Sequence, residues 1–260
     1  MKSGFGDHVT AALDGHVAVV TINRPPHNFV SVEFMKDLAD ACEAADADDN
    51  VRAIVLQADG KSFCAGADFQ ASDDRVAAGM EGVNALYVHA VRLYSIEKPI
   101  VAAVQGAAVG AGLGLALVAD FRVVSPEARF AANFVKLGFH PGFGISLALP
   151  RIVGEQKAAL MMLTGRRIKG EEALAWGLAD DMVEADALRG AALALAREIA
   201  ENAPLAVVST RKTLRGSLAA AIKAQTDIEH REQSVLRATE DFQEGIRSVN
   251  ERRPGNFKGR

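Results

Sequence analysis

Up to about residue 155 the chain alternates short apolar runs with amphipathic stretches, and beyond that point nearly every stretch has a helical period. Val9 to Leu13 and Val17 to Ile22 are strand-like runs joined by Asp14-Gly15, the signal of a β-hairpin. Arg24-Pro25-Pro26-His27-Asn28 predicts a rigid loop. Ser31 is then placed to cap a helix whose apolar face is Val32, Met35, Leu38, Ala39 and Cys42, and the acidic run Asp46 to Asp49 ends it. Residues 52–57 read as a short strand, and 58–68 as a long turn with two glycines. The segment 70–82, with Asp73, Asp74, Gly79 and Gly82, reads as a mobile connection. Val83 to Ile96 predicts a helix leading into the central unit.

That unit is Pro99 to Asp120, PIVAAVQGAAVGAGLGLALVAD, read as a buried strand, a turn at Gln105-Gly106 and the start of an apolar helix, with glycines at 110, 112 and 114. Small residues at a helix entry let a ligand reach main-chain N–H groups that have no intrahelical partner, a site that favours negative charge. The same glycines serve equally well to let the helix pack close to its neighbours. Phe121 to Val124 is a further strand, and Phe130 to Gly144 is loop-rich around His140-Pro141-Gly142. The period then becomes helical over Glu155 to Leu163, Gly170 to Trp176, Ala187 to Asn202, Pro204 to Leu214, Leu218 to Ala238 and Glu240 to Val249. The last of these places Phe242, Ile246 and Val249 on one face. This order reads as α/β, a stack of strand-strand-helix turns rather than a doubly wound sheet.

Composition narrows the function classes. With 260 residues, 49% of them hydrophobic, the chain can bury a large core. A net charge of -4 argues against a nucleic-acid or anionic-membrane surface. Cys42 and Cys64 lie on apolar segments without metal-ligand spacing, which points to reduced thiols. His8, His16 and His230 have no carboxylate or cysteine at ligand spacing, so no metal is expected. The first residues lack the apolar core of a signal peptide, and the chain reads as a soluble cytoplasmic protein without a membrane span.

Four segments carry a resemblance that covers practically the whole chain: SFCAGAD at 62–68, KPIVAAVQGAAVGAGLGLALVAD at 98–120, LTGRRIKGEEALAWGLADDMV at 163–183 and the ending RRPGNFKG. In order and spacing they resemble the crotonase (enoyl-CoA hydratase/isomerase) superfamily. The resemblance implies a crotonase-like spiral of ββα units over 1–195 that carries an acyl-CoA site. It further implies a helical C-terminal region over 196–260 that builds a homotrimer or homohexamer and covers the CoA site. It implies an acyl-CoA thioester as partner, and no cofactor beyond the coenzyme A moiety of that substrate. Its oxyanion hole maps onto the N–H groups of Ala67 and Ala111. Its CoA contacts map onto Arg24, Pro26, His27, Ala65, Gly66, Asp68, Phe69 and Gly110, with Asp68 bracing the turn and Arg252, Phe257 or Lys258 near a phosphate or simply solvated. Alanine at 111, where the family usually has glycine, keeps the hole if its methyl group points away.

The departures bear on the reaction. The two glutamates that the family's hydratases use on water fall at Gly114 and Phe134 here, and the aspartate nucleophile of the aromatic dehalogenases falls at Gly142. His140 takes the place of the aspartate of naphthoate-synthase-like relatives, and imidazole moves protons near neutrality. Tyr87 falls where the dehalogenases keep a histidine base, while His89 should face elsewhere. Against catalytic roles, His140 before proline can simply bond main-chain groups, and Tyr87 can be core. Three readings follow: an enolate-forming acyl-CoA enzyme outside standard hydration, using His140; a hydratase or isomerase with a relocated acid and base such as Asp73 or Asp74; and a CoA-binding or scaffold protein without catalysis.

Overall fold

The structure is a computed structural model that describes residues 3–67 and 79–260. The chain opens with β1 (Gly4–Phe5), β2 (Val9–Asp14) and β3 (Val17–Ile22), then α1 (Val32–Asp46). It continues through β4 (Ala53–Ala58), β5 (Ser62–Cys64), α2 (Gly79–Tyr94), β6 (Ile100–Val104), β7 (Ala107–Val109) and α3 (Ala111–Val118). Next come β8 (Phe121–Val124), β9 (Arg129–Ala131), a 3-10 segment (Asn133–Leu137), α4 (Ile145–Val153), α5 (Glu155–Thr164), β10 (Arg167–Lys169), α6 (Gly170–Ala175) and β11 (Asp181–Met182). Four helices close the chain: α7 (Leu188–Ala200), α8 (Pro204–Arg215), α9 (Leu218–Leu236) and α10 (Glu240–Asn250).

Successive strand pairs divide between two sheets. β4, β6 and β8 join the larger sheet, ordered β1-β2-β3-β4-β6-β8-β11, while β5, β7 and β9 join the smaller, ordered β10-β9-β7-β5. The pairs β4/β5, β6/β7 and β8/β9 therefore climb as turns of one spiral, the ββα stack expected from the pattern. The hairpin forms as predicted, with Val9 opposite Ile22 and Asp14 opposite Val17. Ser31 caps α1 by accepting the Phe34 N–H.

The larger sheet is covered on both faces, which is why its strands read as continuous apolar runs. Val20, Ile22, Ile54, Leu56, Ile100 and Val104 face the main core. The alternate residues Val17, Ala53, Val55, Val101, Ala103 and Val123 face α7, which lays Leu188, Ala192, Ala196 and Ala200 on them at a spacing of four. Each fully buried valine, leucine or isoleucine contributes about 1.5–3 kcal/mol relative to exposure. Cys42 and Cys64 are buried free thiols, and burial pushes both up to about 12. They are inert at neutral pH.

The pattern fell short in specific places. β5, β7 and β9 have three residues each and lie in segments read as turns or loops, because so short a strand shows no alternation. α4 follows a glycine-rich loop and contains Pro150, so its helical period was hidden. On α10, Phe242 is buried and Ile246 packs on the core, while Val249, on the same face near the end of the helix, is 44% exposed. No helix among the described residues is long and apolar enough to cross a membrane.

Candidate active site

Two backbone turns meet where the chain leaves the neighbouring strands β5 and β7 of the smaller sheet. β5 runs parallel to β7, with Ser62 opposite Ala107 and Cys64 opposite Ala108, so the chain leaving β5 passes beside the entry of α3. The approach is too close for side chains: a Cβ at Gly112 would fall 1.9 Å from the Cys64 carbonyl oxygen, and one at Gly66 (φ +88) 2.6 Å from that of Val109 and 3.8 Å from the Ala111 nitrogen. Val30 donates its N–H to the Gly66 carbonyl at 2.9 Å and bridges Ala67 in parallel, which leaves the Ala67 N–H off that ladder. The α3 helix begins with Gly114 donating to the Gly110 carbonyl at 3.1 Å, so the N–H of Ala111 has no intrahelical acceptor. Ala111 is partly buried and packs against the main core. The glycine at 112 serves close packing, and α3 starts so that the Ala111 N–H has no intrahelical acceptor.

The two positions expected for glutamates are filled by aromatic rings. A Cβ at Gly114 would lie 2.4 Å from Cδ1 of Phe143, a buried residue held at φ +66. The ring of Phe143 thus occupies the space a side chain at 114 would need. The tip of the Phe134 ring lies 3.8 Å, and Asn133 Oδ1 3.9 Å, from the Cβ position of Gly110, directly before the Ala111 donor. Phe134 stacks edge-on against Phe139 at 5.5 Å, and Phe139 against Phe242 of α10 at 5.3 Å.

The loop carrying His140 is held from outside. His140 Nδ1 lies 2.7 Å from the carbonyl of Pro141. A carbonyl only accepts, so this contact assigns the proton to Nδ1 and leaves Nε2 as the basic nitrogen. The Gln233 amide donates to the His140 carbonyl at 2.8 Å, and Tyr87 donates its hydroxyl to Gln233 Oε1 at 2.9 Å. Tyr87 also accepts the Phe143 N–H, and burial, followed by the charge of Glu229, pushes its phenol far above the ordinary range. A Cβ at Gly142 would collide with the Tyr87 hydroxyl at 1.8 Å. His89 points away, toward Arg92 at 3.0 Å, as expected. Glu229, wholly buried, accepts the N–H groups of Gly144 at 2.7 Å and Ser146 at 3.1 Å and the Ser146 hydroxyl at 2.5 Å. Burial raises its carboxyl above the usual range, partly offset by those donors. Gln225 completes the set by donating to Ser146 Oγ at 2.9 Å.

Sequence reasoning missed Gln225, Glu229 and Gln233. They share one face of α9 at spacings of four, but in a stretch as polar as TDIEHREQS nothing marks which face is buried.

The loop of Arg24, Pro26 and His27 lies against the same turns. Its organiser is Asn28, another residue the sequence reading passed over, which is buried at φ +53 and accepts the Arg24 N–H at 2.8 Å. The Asn28 amide donates to the carbonyls of Asp59 at 2.9 Å and Ser62 at 2.7 Å. Ala65 donates to the His27 carbonyl at 3.0 Å, and Arg24 donates to the Phe29 carbonyl. Pro26 and His27 are exposed, so a ligand can reach them. Asp68, Phe69, Asp73 and Asp74 lie outside the described residues. The tail folds back onto α10, where Asp241 accepts the N–H groups of Lys258 at 2.6 Å and Gly259 at 2.7 Å.

Known proteins are similar to this chain over nearly its whole length. The chain is 37% identical to the (E)-benzylidenesuccinyl-CoA hydratase of Thauera aromatica, covering 96% of this chain and 99% of that one. It is 35% identical to the 2,3-dehydroadipyl-CoA hydratase of Escherichia coli (strain K12), covering 94% and 96%. Among solved structures, an enoyl-CoA hydratase/isomerase from Pseudoalteromonas atlantica T6c superposes with a TM-score of 0.86 at 32% identity, over 97% of this chain and 100% of that one. The sequence profile of the enoyl-CoA hydratase/isomerase family matches residues 13–260, and with relatives of this identity and coverage the chain belongs to that family.

Proposed function

We propose that this protein binds an acyl-CoA thioester, holds its carbonyl oxygen between the N–H groups of Ala67 and Ala111, and stabilises the enolate formed there. His140 Nε2 takes and returns the proton. The observation that carries this reading is the pair of aromatic rings at the glutamate positions: Phe143 fills the space beside Gly114, and Phe134 stands at the other, next to intact turns. In the proton-transfer step the α C–H electron pair becomes the C–C double bond of the enolate. The thioester π pair moves to oxygen, and the proton goes to Nε2 to give an imidazolium. Two fixed donors stabilise the developing charge more than the neutral ground state, each worth on the order of a hundredfold in rate. Isomerisation passes through this enolate by deprotonation and reprotonation, while decarboxylation or C–C cleavage of an acyl-CoA would deliver the broken C–C pair into the same enolate, which is then protonated at carbon.

A second reading, hydration with a relocated acid and base, is favoured by the names of the two hydratase relatives. It draws on carboxylates such as Asp73 or Asp74 and predicts rapid hydration of crotonyl-CoA. A third, binding without catalysis, predicts no exchange of α-protons.

The CoA path in this proposal runs along Arg24, Pro26, His27, Ala65, Gly66 and Gly110; Asp68 and Phe69, which the proposal also assigns to it, lie outside the described residues. The substrate brings the only coenzyme. Leu205 and Leu214 of α8 are 85% and 76% exposed, apolar surface that supports a homotrimer or homohexamer. A panel of acyl-CoA thioesters should raise the melting temperature by mass action while free acids do not. The absence of any shift with CoA esters would refute the site, and a monomer by light scattering at micromolar concentration would refute the assembly.

A further inference from the structure

The geometry points to Gln233 and Tyr87 as positioning residues that fix the base of this site, acting through the backbone of the loop that bears His140. This inference rests on the reading of His140 as the proton-transfer group.

The loop cannot hold its own shape. Gly138 and Gly144 stand at φ +74 and +75, and between them Phe143, which is not a glycine, stands at φ +66. A residue in that region persists only where its surroundings over-determine it. The determinants come from two other elements. Gln233, 1% exposed, uses both ends of its amide: Nε2 donates to the His140 carbonyl and Oε1 accepts from Tyr87. Tyr87, 7% exposed, uses its oxygen twice, donating to Gln233 and accepting from Phe143. The tyrosine thereby fixes which way the Gln233 amide faces, because a flipped amide would set a donor against the hydroxyl's donor and an oxygen against the His140 carbonyl. The polar atoms of this chain are paired and buried, the condition in which such a network rigidifies.

The consequence reaches the imidazole. The ring's Nδ1 proton is tied to the Pro141 carbonyl, and Gln233 grips the peptide unit just before it through the His140 carbonyl; the Pro141 Cα alone joins the two units and the proline ring fixes its φ, so the grip on one unit restrains the ring bonded to the next. Gly142 belongs to the same device, since any side chain there would displace the tyrosine hydroxyl. Tyr87 contacts Gln233 and the Phe143 N–H, and in this inference its contribution runs through His140.

A double-mutant cycle tests this with the full chain. Wild type, Tyr87→Phe, Gln233→Leu, His140→Ala and the two doubles with His140→Ala are compared for exchange of the α-protons of butyryl-CoA in heavy water. The thermal shift given by butyryl-CoA and the nitrogen shifts of the His140 ring are read beside it. Tyr87→Phe and Gln233→Leu should each slow exchange on the order of tenfold to a hundredfold, the scale of a small misplacement of a catalytic group. They should leave the thermal shift unchanged, alter the His140 tautomer signals, and have no further effect once His140 is alanine. An equal loss in the His140→Ala background, or wild-type exchange with unaltered His140 signals, would overturn the inference. If His140→Ala alone exchanges at the wild-type rate, the reading of His140 as base has failed, and the tautomer signals of Tyr87→Phe then decide the positioning claim by themselves. Tyr87→Phe removes one atom, so it carries the test if Gln233→Leu does not fold.

Discussion

The two halves of the candidate site are built by different means. Around Ala67 and Ala111 everything is main chain: a parallel strand pair, a bridge to Val30, and glycines that let one backbone pass against the carbonyls of another. Around His140 the backbone is instead gripped by side chains from distant elements, namely Tyr87 of α2 and Glu229 and Gln233 of α9, with Gln225 bonded to the Ser146 hydroxyl beside them. In the proposed reaction charge stabilisation therefore rests on main-chain N–H groups, which an alanine at 111 supplies as a glycine would. Proton handling depends on side chains, and here both glutamate positions have changed while the turns have not.

Four substitutions press on this contrast, in order of expected effect. Gly112→Ala sets a methyl group 1.9 Å from a backbone carbonyl that cannot swing aside, so it should abolish butyryl-CoA exchange and soluble expression together. A folded, active variant would mean that the main-chain half is less rigid than described. His140→Ala should leave the fold and the CoA-ester thermal shift intact while cutting turnover by about two to four orders of magnitude.

Gly114→Glu would restore the family's residue but drive its side chain into the Phe143 ring. A destabilisation of roughly 1–3 kcal/mol is expected in denaturant melts, without any gain of crotonyl-CoA hydration. The smallest effect concerns Glu229. Its raised pKa means that the folded protein binds this proton more readily than the unfolded chain does. Stability from this group is therefore greatest in acid and falls as pH rises from the ordinary carboxylate range through the raised folded value. In thermal melts between roughly pH 4 and 7, Glu229→Gln should flatten that slope, and an unchanged slope would show that Glu229 does not set it.

The same division explains what the sequence could reveal. Glycines at 66 and 112 stand where a backbone passes within reach of another, so the meeting of these two turns was legible from SFCAGAD and the glycines at 110, 112 and 114. The long strands and capped helices were legible for the same reason, since Ser31 or Asp14-Gly15 acts within a few residues. The grip on His140 was not, because Tyr87 and Gln233 are separated by 146 residues and an amide in a polar helix carries no mark of its partner. Nor could the sequence show that Phe143 fills the space beside Gly114. Only the αL turn at Phe143 brings that ring back onto α3.

The central claim is that this site forms an enolate without the paired carboxylates of a hydratase. It is tested most directly by offering the same preparation butyryl-CoA and crotonyl-CoA in heavy water, and following deuterium at the α-carbon of the first against hydration of the second. The account predicts steady α-exchange of butyryl-CoA with hydration of crotonyl-CoA barely above the uncatalysed rate. Rapid hydration, or no exchange at saturating butyryl-CoA, would contradict it.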